Sequence, residues 1–184
     1  MHTESAPLFP VLAPLRAVLT ALALLGAGLA SAKDLDIAQA QWLQGQRQQA
    51  LQTVQTALGQ NPNDARLRFA LAVMQMELGH SAEAEAGLVA LTQDFPDLAD
   101  PYNNLAVLHA ARGELDLARE ALEQAVRLQP DHAQAQENLG DVLLRLAARA
   151  YAQALKVSHG DTGALQLKLS RTQALTQAPA NAKR

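Results

Sequence analysis

Apolar residues along this chain recur at intervals of three and four positions, the spacing that places side chains on one face of an α-helix. The pattern is clearest at Leu115, Ala118, Leu122, Ala125 and Val126. Glycines and prolines, which end helices, separate such stretches from one another. The pattern predicts an all-α fold. The predicted helices lie near 34–44, 47–59, 64–78, 81–94, 99–111, 115–128, 133–157 and 162–176.

A period of 34 residues organises these stretches. Two residue types that end helices recur at this interval, at Gly45, Gly79 and Gly113 and at Pro62, Pro96 and Pro130. A glycine can adopt the left-handed conformation that closes a first helix, and a proline stops the second. Each unit is therefore predicted to be a pair of antiparallel helices. Because short helices are marginal in water, the pairs must be stabilised by stacking on one another.

The third unit resembles the tetratricopeptide repeat family, whose helix-turn-helix unit has the same length. The family's signature positions are occupied by Tyr102, Leu105, Ala106, Gly113, Ala118, Leu122, Ala125 and Pro130, although a glycine is more typical of the family at the position of Ala106. The first two units depart from the pattern, since Asp34 and Arg68 replace the bulky Tyr102. The resemblance implies a right-handed helical solenoid and a role in protein–protein interaction. Its repeats would span 31–64, 65–98 and 99–132, with an altered fourth at 133–161 and a capping helix at 162–177.

The fourth unit lacks the turn of its predecessors. Its apolar stripe runs without a break through Leu139, Val142, Leu143, Leu146, Ala147, Ala150, Tyr151, Ala154 and Leu155. That continuity predicts one helix of about 25 residues from 133 to 157. If the fourth unit is aligned with the third with five positions missing at the turn, Tyr151 matches Leu122. A tight hairpin therefore remains the alternative. A long helix at the end of the stack could leave apolar surface for a second chain, which makes a homodimer a further hypothesis.

The resemblance also implies a partner-binding groove lined by the first helix of each pair. When the groove positions of the family are transferred to this chain by the 34-residue register, they fall on Gln39, Trp42, Arg66, Phe69, Val73, Met76, Asn103, Val107 and Ala110. Large apolar side chains with a polar rim suit a peptide or helix of a partner protein. Each of Trp42, Phe69 and Met76 could equally be a core residue at helical spacing.

The N-terminal segment 1–32 is typical of a secretory signal peptide. Arg16 precedes an uncharged apolar run that ends in the small-residue pattern Ala30-Ser31-Ala32. Cleavage after Ala32 would release a domain at 33–177 with a flexible tail at 178–184. The protein is then expected to be exported, to the periplasm or the exterior. A retained N-terminal membrane anchor is the alternative.

The sequence contains no convincing catalytic, metal or cofactor site. Asp161-Thr162-Gly163 matches the short motif of aspartic proteases, but it occurs once in a helical chain and is typical of a helix start. The five histidines have no metal-ligand spacing, and the chain has no cysteine. These observations predict a protein that is not an enzyme and needs no cofactor.

Charge is distributed unevenly along the chain. Residues 64–141 contain fourteen acidic and five basic residues, a net charge of −9, whereas 145–184 contain seven basic residues and one acidic. The basic end could contact an anionic membrane surface weakly. Nucleic acid is not expected for an exported acidic chain. The sequence thus predicts a scaffold or adaptor of the cell envelope. A self-assembling structural protein and a regulator subunit of an envelope enzyme are the alternatives.

Overall fold

The computed structural model of the protein describes residues 29–177. These residues form eight helices and no strand: α1 (Leu29–Leu43), α2 (Arg47–Gln60), α3 (Ala65–Glu77), α4 (Ser81–Asp94), α5 (Ala99–Ala111), α6 (Leu115–Leu128), α7 (Ala133–Val157) and α8 (Gly163–Gln177). The predicted all-α fold of helix pairs is confirmed. Helix α1 begins five residues before its predicted start, and every other bound falls within one residue of its prediction.

Two parts of the predicted organisation lie outside the described residues. They are residues 1–28 of the predicted signal peptide and the tail at 178–184. Helix α1 begins at Leu29 and runs through Ala32, the residue that precedes the predicted cleavage point. Among the helices between residues 29 and 177, none is both long enough and apolar enough to span a membrane.

The three glycines of the period close the first helices in the same way. Gly45, Gly79 and Gly113 have φ values of 79°, 79° and 78°. In the third turn, the amide of Gly113 donates to the carbonyl of Ala110 at 3.1 Å, and the amide of Glu114 donates to that of His109 at 3.0 Å. This pair of bonds is the Schellman motif, which needs a left-handed residue at the position of the glycine.

The prolines occupy equally regular turns after the second helices. Behind α2, the amide of Asp64 donates to the carbonyl of Asn61 at 3.1 Å, which closes a turn around Pro62. The Asp64 carboxylate then accepts from the amides of Arg66 and Leu67 at the start of α3. At the corresponding position before α7, the ring of His132 accepts from the amide of Ala135 at 3.2 Å. These side chains satisfy amides that lack a partner in the first turn of a helix.

The contacts divide the chain into two compact units, whose boundary falls between Leu105 and Ala106, inside α5. In the first unit, α1 packs on α2, α3 packs on α4, and α3 also contacts α1 and α2. Its core includes the buried side chains Val54, Leu67, Phe69, Val73, Met74, Leu88 and Leu91. Small residues allow close packing within a pair, as where Gly87 lies opposite Ala72.

In the second unit, α6 packs on α7 and α7 packs on α8. Helix α7 is continuous over 25 residues, so the prediction of one long helix is confirmed and the tight hairpin is excluded. The position 34 residues after Gly113 is Ala147, which lies inside α7. An alanine favours the right-handed helical conformation and strongly disfavours the left-handed one that the earlier turns use. The chain therefore continues as a helix where its predecessors turn.

Candidate functional site

The predicted groove residues of the first unit lie mostly in its core. The exposed fractions of Trp42, Phe69, Val73 and Met76 are 3%, 1%, 0% and 9%. Gln39 and Arg66 are half-buried. The description of Trp42, Phe69 and Met76 as core residues therefore fits this structure. A partner that contacts these side chains would first have to displace their neighbours.

Trp42 joins the first helices of the first two pairs. Its indole Nε1 on α1 donates to Oε2 of Glu77 on α3 at 2.8 Å. The guanidinium of Arg47 lies 4.1 Å from the centre of the Trp42 ring and donates to the Trp42 carbonyl at 2.9 Å. A buried indole N–H needs such a partner, and the cation stabilises the ring by a cation–π contact. The cluster fixes the end of α1 against α3.

Arg66 and Asp64 form an incomplete ion pair at the start of α3. Nη2 of Arg66 lies 3.5 Å from Oδ2 of Asp64, and the two side chains are 11% and 5% exposed. Neither of these two atoms has a hydrogen-bond partner, although both are buried. Buried charged groups usually form good hydrogen bonds because desolvation is costly. An additional polar group beside these two atoms would therefore be favourable.

Two buried asparagines follow on α5. Asn103 and Asn104 are 7% and 4% exposed. The amide of Asn104 donates to the carbonyl of Asp100 at 2.9 Å, a bond within the helix. Asn103 was predicted to line the groove, and both asparagines are buried in the structure.

The last two predicted groove residues belong to the second unit. Val107 is half-buried and Ala110 is 1% exposed. The carbonyl of Ala110 accepts a hydrogen bond from Nη1 of Arg145 on α7 at 3.0 Å. The backbone at Ala110 thus helps to attach α7 to the end of α5.

A cluster of charged side chains surrounds the turn between α5 and α6. Oε2 of Glu114 lies 2.8 Å from Nη2 of Arg112 and 2.8 Å from Nδ1 of His109. Hydrogen bonds from Arg112 and then from His109 lower the pKa of Glu114 to about 2. The carboxylate is consequently ionised at any physiological pH.

Two further groups on α7 have shifted pKa values. Burial raises the pKa of Asp141, and the nearby Glu137 carboxylate adds to the increase. Burial lowers the pKa of Arg145, which the charge of Asp141 partly offsets. Both shifts are explained by packing and by neighbouring charges on the same helix, so they give no indication of a catalytic role.

The Asp161-Thr162-Gly163 motif starts a helix. Oδ1 of Asp161 accepts from the amide of Gly163 at 2.9 Å, and Nε2 of Gln166 donates to Oγ1 of Thr162 at 3.1 Å. These bonds are those of a helix N-terminus. Within the described residues, no group of three histidine or acidic side chains is placed to hold a metal ion.

The contact of Arg47 with Trp42 was not predicted from the sequence. Arg47 stands at the first position of α2, five residues after the only tryptophan in the chain. That spacing places it across the glycine turn from Trp42 and could have suggested the stacking. The incomplete pairing of Arg66 left no signal, because it depends on the exact position of Asp64 in the proline turn.

Two models of the tetratricopeptide repeat match the chain, one over residues 41–108 and one over residues 103–146. The chain contains tetratricopeptide repeats. Proteins built from such repeats are generally interaction modules without enzymatic activity, which agrees with the prediction of a protein-binding role. No curated protein matches the chain.

Solved structures with tetratricopeptide repeats share this fold. One is TTC0263, a thermophilic TPR protein in Thermus thermophilus, at 23% identity and a TM-score of 0.58, covering 82% of this chain and 93% of that one. Another is the first TPR of Spaghetti (RPAP3) bound to HSP90 peptide SRMEEVD. It has 18% sequence identity and a TM-score of 0.58, and the match covers 64% of this chain and 93% of that one. A third is the second TPR domain of human RPAP3 in complex with HSP70 peptide SGPTIEEVD. It has 16% sequence identity and a TM-score of 0.54, and the match covers 61% of this chain and 93% of that one.

Proposed function

We propose that this protein is a non-enzymatic adaptor that binds a peptide or helix of a partner protein along the first helices of its repeats. The observation that carries the proposal is the incomplete Arg66–Asp64 pair. Nη2 of Arg66 is buried without a hydrogen-bond partner, at a position that family register assigns to the groove. A carbonyl or carboxylate oxygen of a partner would complete its hydrogen bonding.

The fold supports the same function. Both RPAP3 domains of similar fold were solved with peptides, of HSP90 in one case and of HSP70 in the other. By analogy, the partner segment would lie against Gln39 and Arg66, the groove residues of the first unit that are only half-buried. Side chains at interfaces commonly change rotamer on binding, so Met76, at 9% exposed, would be the next to be uncovered.

Site-specific photo-cross-linking in the host tests this proposal. A photoreactive amino acid at Gln39 should trap a partner protein, and one at Gln55, an exposed residue of α2, should not. Equal trapping at the two positions would overturn the groove assignment.

The trapped partner then allows a sharper comparison of two arginines on α3. Arg66→Met should weaken binding about tenfold or more, because a charged hydrogen bond is lost. Arg68→Met is the matched control. Arg68 pairs with Asp94 at 2.7 Å, and its substitution should leave the affinity within about twofold. Equal losses in the two variants would show that Arg66 does not contact the partner.

We further propose that the protein works in the cell envelope after export. The support is the apolar run and the Ala30-Ser31-Ala32 pattern of the N-terminal segment. N-terminal sequencing of the protein from its host should find Lys33 as the first residue. A chain that starts at Met1 and sediments with membranes would favour the retained anchor instead.

An anionic membrane surface is a second candidate partner, proposed for the basic C-terminal region. Its support is the net positive charge after residue 145. Two of these cations, Arg145 and Arg149, already bond to groups of their own unit. The charge left for a lipid surface is therefore smaller than the sequence suggests.

A further inference from the structure

Asp64 uses only one of its two carboxylate oxygens to begin α3. Oδ1 accepts from the amides of Arg66 and Leu67, at 3.0 and 3.3 Å. Oδ2 is buried and accepts no hydrogen bond from the described residues, in a side chain that is 5% exposed. A carboxylate oxygen that has lost its water without gaining a donor is unfavourable. A donor beside Oδ2 would therefore be stabilising.

The guanidinium of Arg66 has the complementary deficiency. Nη2 is buried, finds no acceptor within residues 29–177, and lies 3.5 Å from Oδ2 of Asp64. A charged N–H···O bond is shorter, at roughly 2.7–2.9 Å. The two atoms thus attract each other without completing each other's hydrogen bonding. Together they present a donor and an acceptor side by side, and their charges cancel.

The distance between the two atoms favours one kind of group that can complete both. A primary carboxamide has an oxygen that accepts and a nitrogen that donates, about 2.3 Å apart. Opposite a pair separated by 3.5 Å, each of its two hydrogen bonds deviates from parallel by only about 10°. A hydroxyl or a water would have to reach both atoms from one oxygen, at a narrow angle of about 80° for bonds of about 2.8 Å. The carboxamide therefore fits better.

Charge disfavours a carboxylate at the same place. One of its oxygens would accept from Nη2 of Arg66, but the other would lie beside the Asp64 carboxylate, with no proton between them. An ammonium would be repelled by Arg66 in the same way. Because the pair has no net charge, a neutral group that both donates and accepts is preferred.

We propose that the Arg66–Asp64 pair is a subsite for a primary carboxamide, supplied by an asparagine or glutamine of the partner segment. The inference rests on the proposed groove function and adds the chemistry that the partner must have at this point. The carboxamide oxygen accepts from Nη2 of Arg66, and its nitrogen donates to Oδ2 of Asp64. The Arg66 side chain is 11% exposed, and a rotamer change of the kind common on binding opens the pair to the entering group.

NMR titration of the purified protein with acetamide, acetate and methanol tests the proposal without a partner. Labelling arginine with ¹⁵N gives the Nε–Hε signals of Arg66 and Arg68, and Arg66→Met identifies the first. Acetamide should shift the Arg66 signal in a saturable way, with half-saturation at least about tenfold below that of acetate or methanol. Arg68, which already pairs with Asp94 at 2.7 Å, is the internal control and should show no saturable response to acetamide.

Asp64→Asn should reverse this preference. The side-chain oxygen of asparagine can still accept from the amides at the start of α3, and its Nδ2 takes the place of Oδ2. Two donors then lie side by side, which suits a carboxylate, so acetate should bind at least about tenfold better than acetamide. Asp94→Asn is the matched control, because it changes the partner of Arg68 and should leave the preference at Arg66 as in the wild type. Equal circular dichroism of the variants would show that the fold is intact.

Three results would overturn the proposal. One is the lack of a saturable shift of the Arg66 signal up to about 1 M acetamide. Another is acetate or methanol binding as well as acetamide, which would assign the pair to an anion or to water. The third is an unchanged preference in Asp64→Asn.

The groove itself can fail separately from this subsite. A partner that is trapped at Gln39 and tolerates the replacement of each asparagine and glutamine in its bound segment would refute the carboxamide and leave the groove. Acetamide binding at Arg66 together with equal trapping at Gln39 and Gln55 would refute the groove and leave the subsite.

Discussion

Helices α3 and α8 differ greatly in burial although their lengths are similar. Eight of the thirteen residues of α3 are buried, whereas none from Gly163 to Thr176 is. Helix α3 contacts α1, α2 and α4, and α8 packs on α7. The exposed leucines of α8 show that an apolar side chain is buried only where a neighbour exists to cover it. In a repeat array, position along the stack therefore decides stability as much as composition does.

The largest effect should come from removing a core side chain on each helix. Phe69→Ala on α3 should lower the free energy of unfolding by about 3–5 kcal/mol, because it removes a fully buried ring. Leu169→Ala on α8 should lower it by only about 1 kcal/mol, since the side chain is half-buried. Urea denaturation followed by circular dichroism measures both. Equal losses would mean that Leu169 is covered in solution as completely as Phe69.

The turn glycine and its replacement in α7 give the second comparison. Gly113→Ala should destabilise the protein by about 1–2 kcal/mol, because an alanine at a φ of 78° is strained even though nothing lies within 4 Å of the new Cβ. Ala147→Gly should cost about 1 kcal/mol, because glycine is a poor residue inside a helix. The same denaturation experiment applies. A neutral Gly113→Ala would mean that the turn is not left-handed in solution.

An aspartate precedes both α3 and α8, which permits a comparison of their N-termini. Asp64→Ala should cost about 1 kcal/mol or more, because it removes the acceptor for two amides and the anion beside buried Arg66. Asp161→Ala should cost about 0.5 kcal/mol, since Asp161 is exposed and accepts from one amide. Thermal unfolding distinguishes the two. A larger loss for Asp161 would contradict the greater burial at the start of α3.

The smallest effect concerns the pH dependence of the turn before α6. The pKa of Glu114 is about 2 in the folded protein and about 4.5 without its partners. Its contribution to stability is therefore complete above pH 4.5 and is lost as the pH falls towards 2. The stability difference between the wild type and Glu114→Gln should be constant from pH 5 to 7 and shrink below pH 4.5. A difference that persists unchanged at pH 2 would show that Arg112 and His109 do not hold this carboxylate in solution.

Most helix bounds could be predicted from the sequence because the same residues end the helices in every unit. Gly113 needs a left-handed backbone and Pro130 cannot continue a helix, so each marks a boundary to within a residue. The start of α1 lacks such a marker, and the structure extends the helix five residues further, to Leu29. The unbroken stripe of α7 was equally informative, because a helix without an internal turn signal has no reason to stop.

The candidate site was less predictable, since register identifies a helix face but not what covers it. Phe69 and Val73 were assigned to the groove by family position, and the structure buries both. The pairing of Trp42 with Glu77 joins residues 35 positions apart, which no local pattern reveals. The role of the groove residues stays a prediction until a partner is trapped on them.

The alanine at position 147 also has a consequence for the history of the gene. An array lengthens when a 34-residue segment is duplicated. The new copy can pack only if it ends at the same position relative to its neighbour as the original copy did. Helix α7 carries the chain about 15 Å beyond the point at which the earlier glycines turn it. A unit inserted after Val157 would therefore begin out of register. Longer versions of this protein should contain their extra units upstream of Ala133, with the turnless helix kept after the last complete unit.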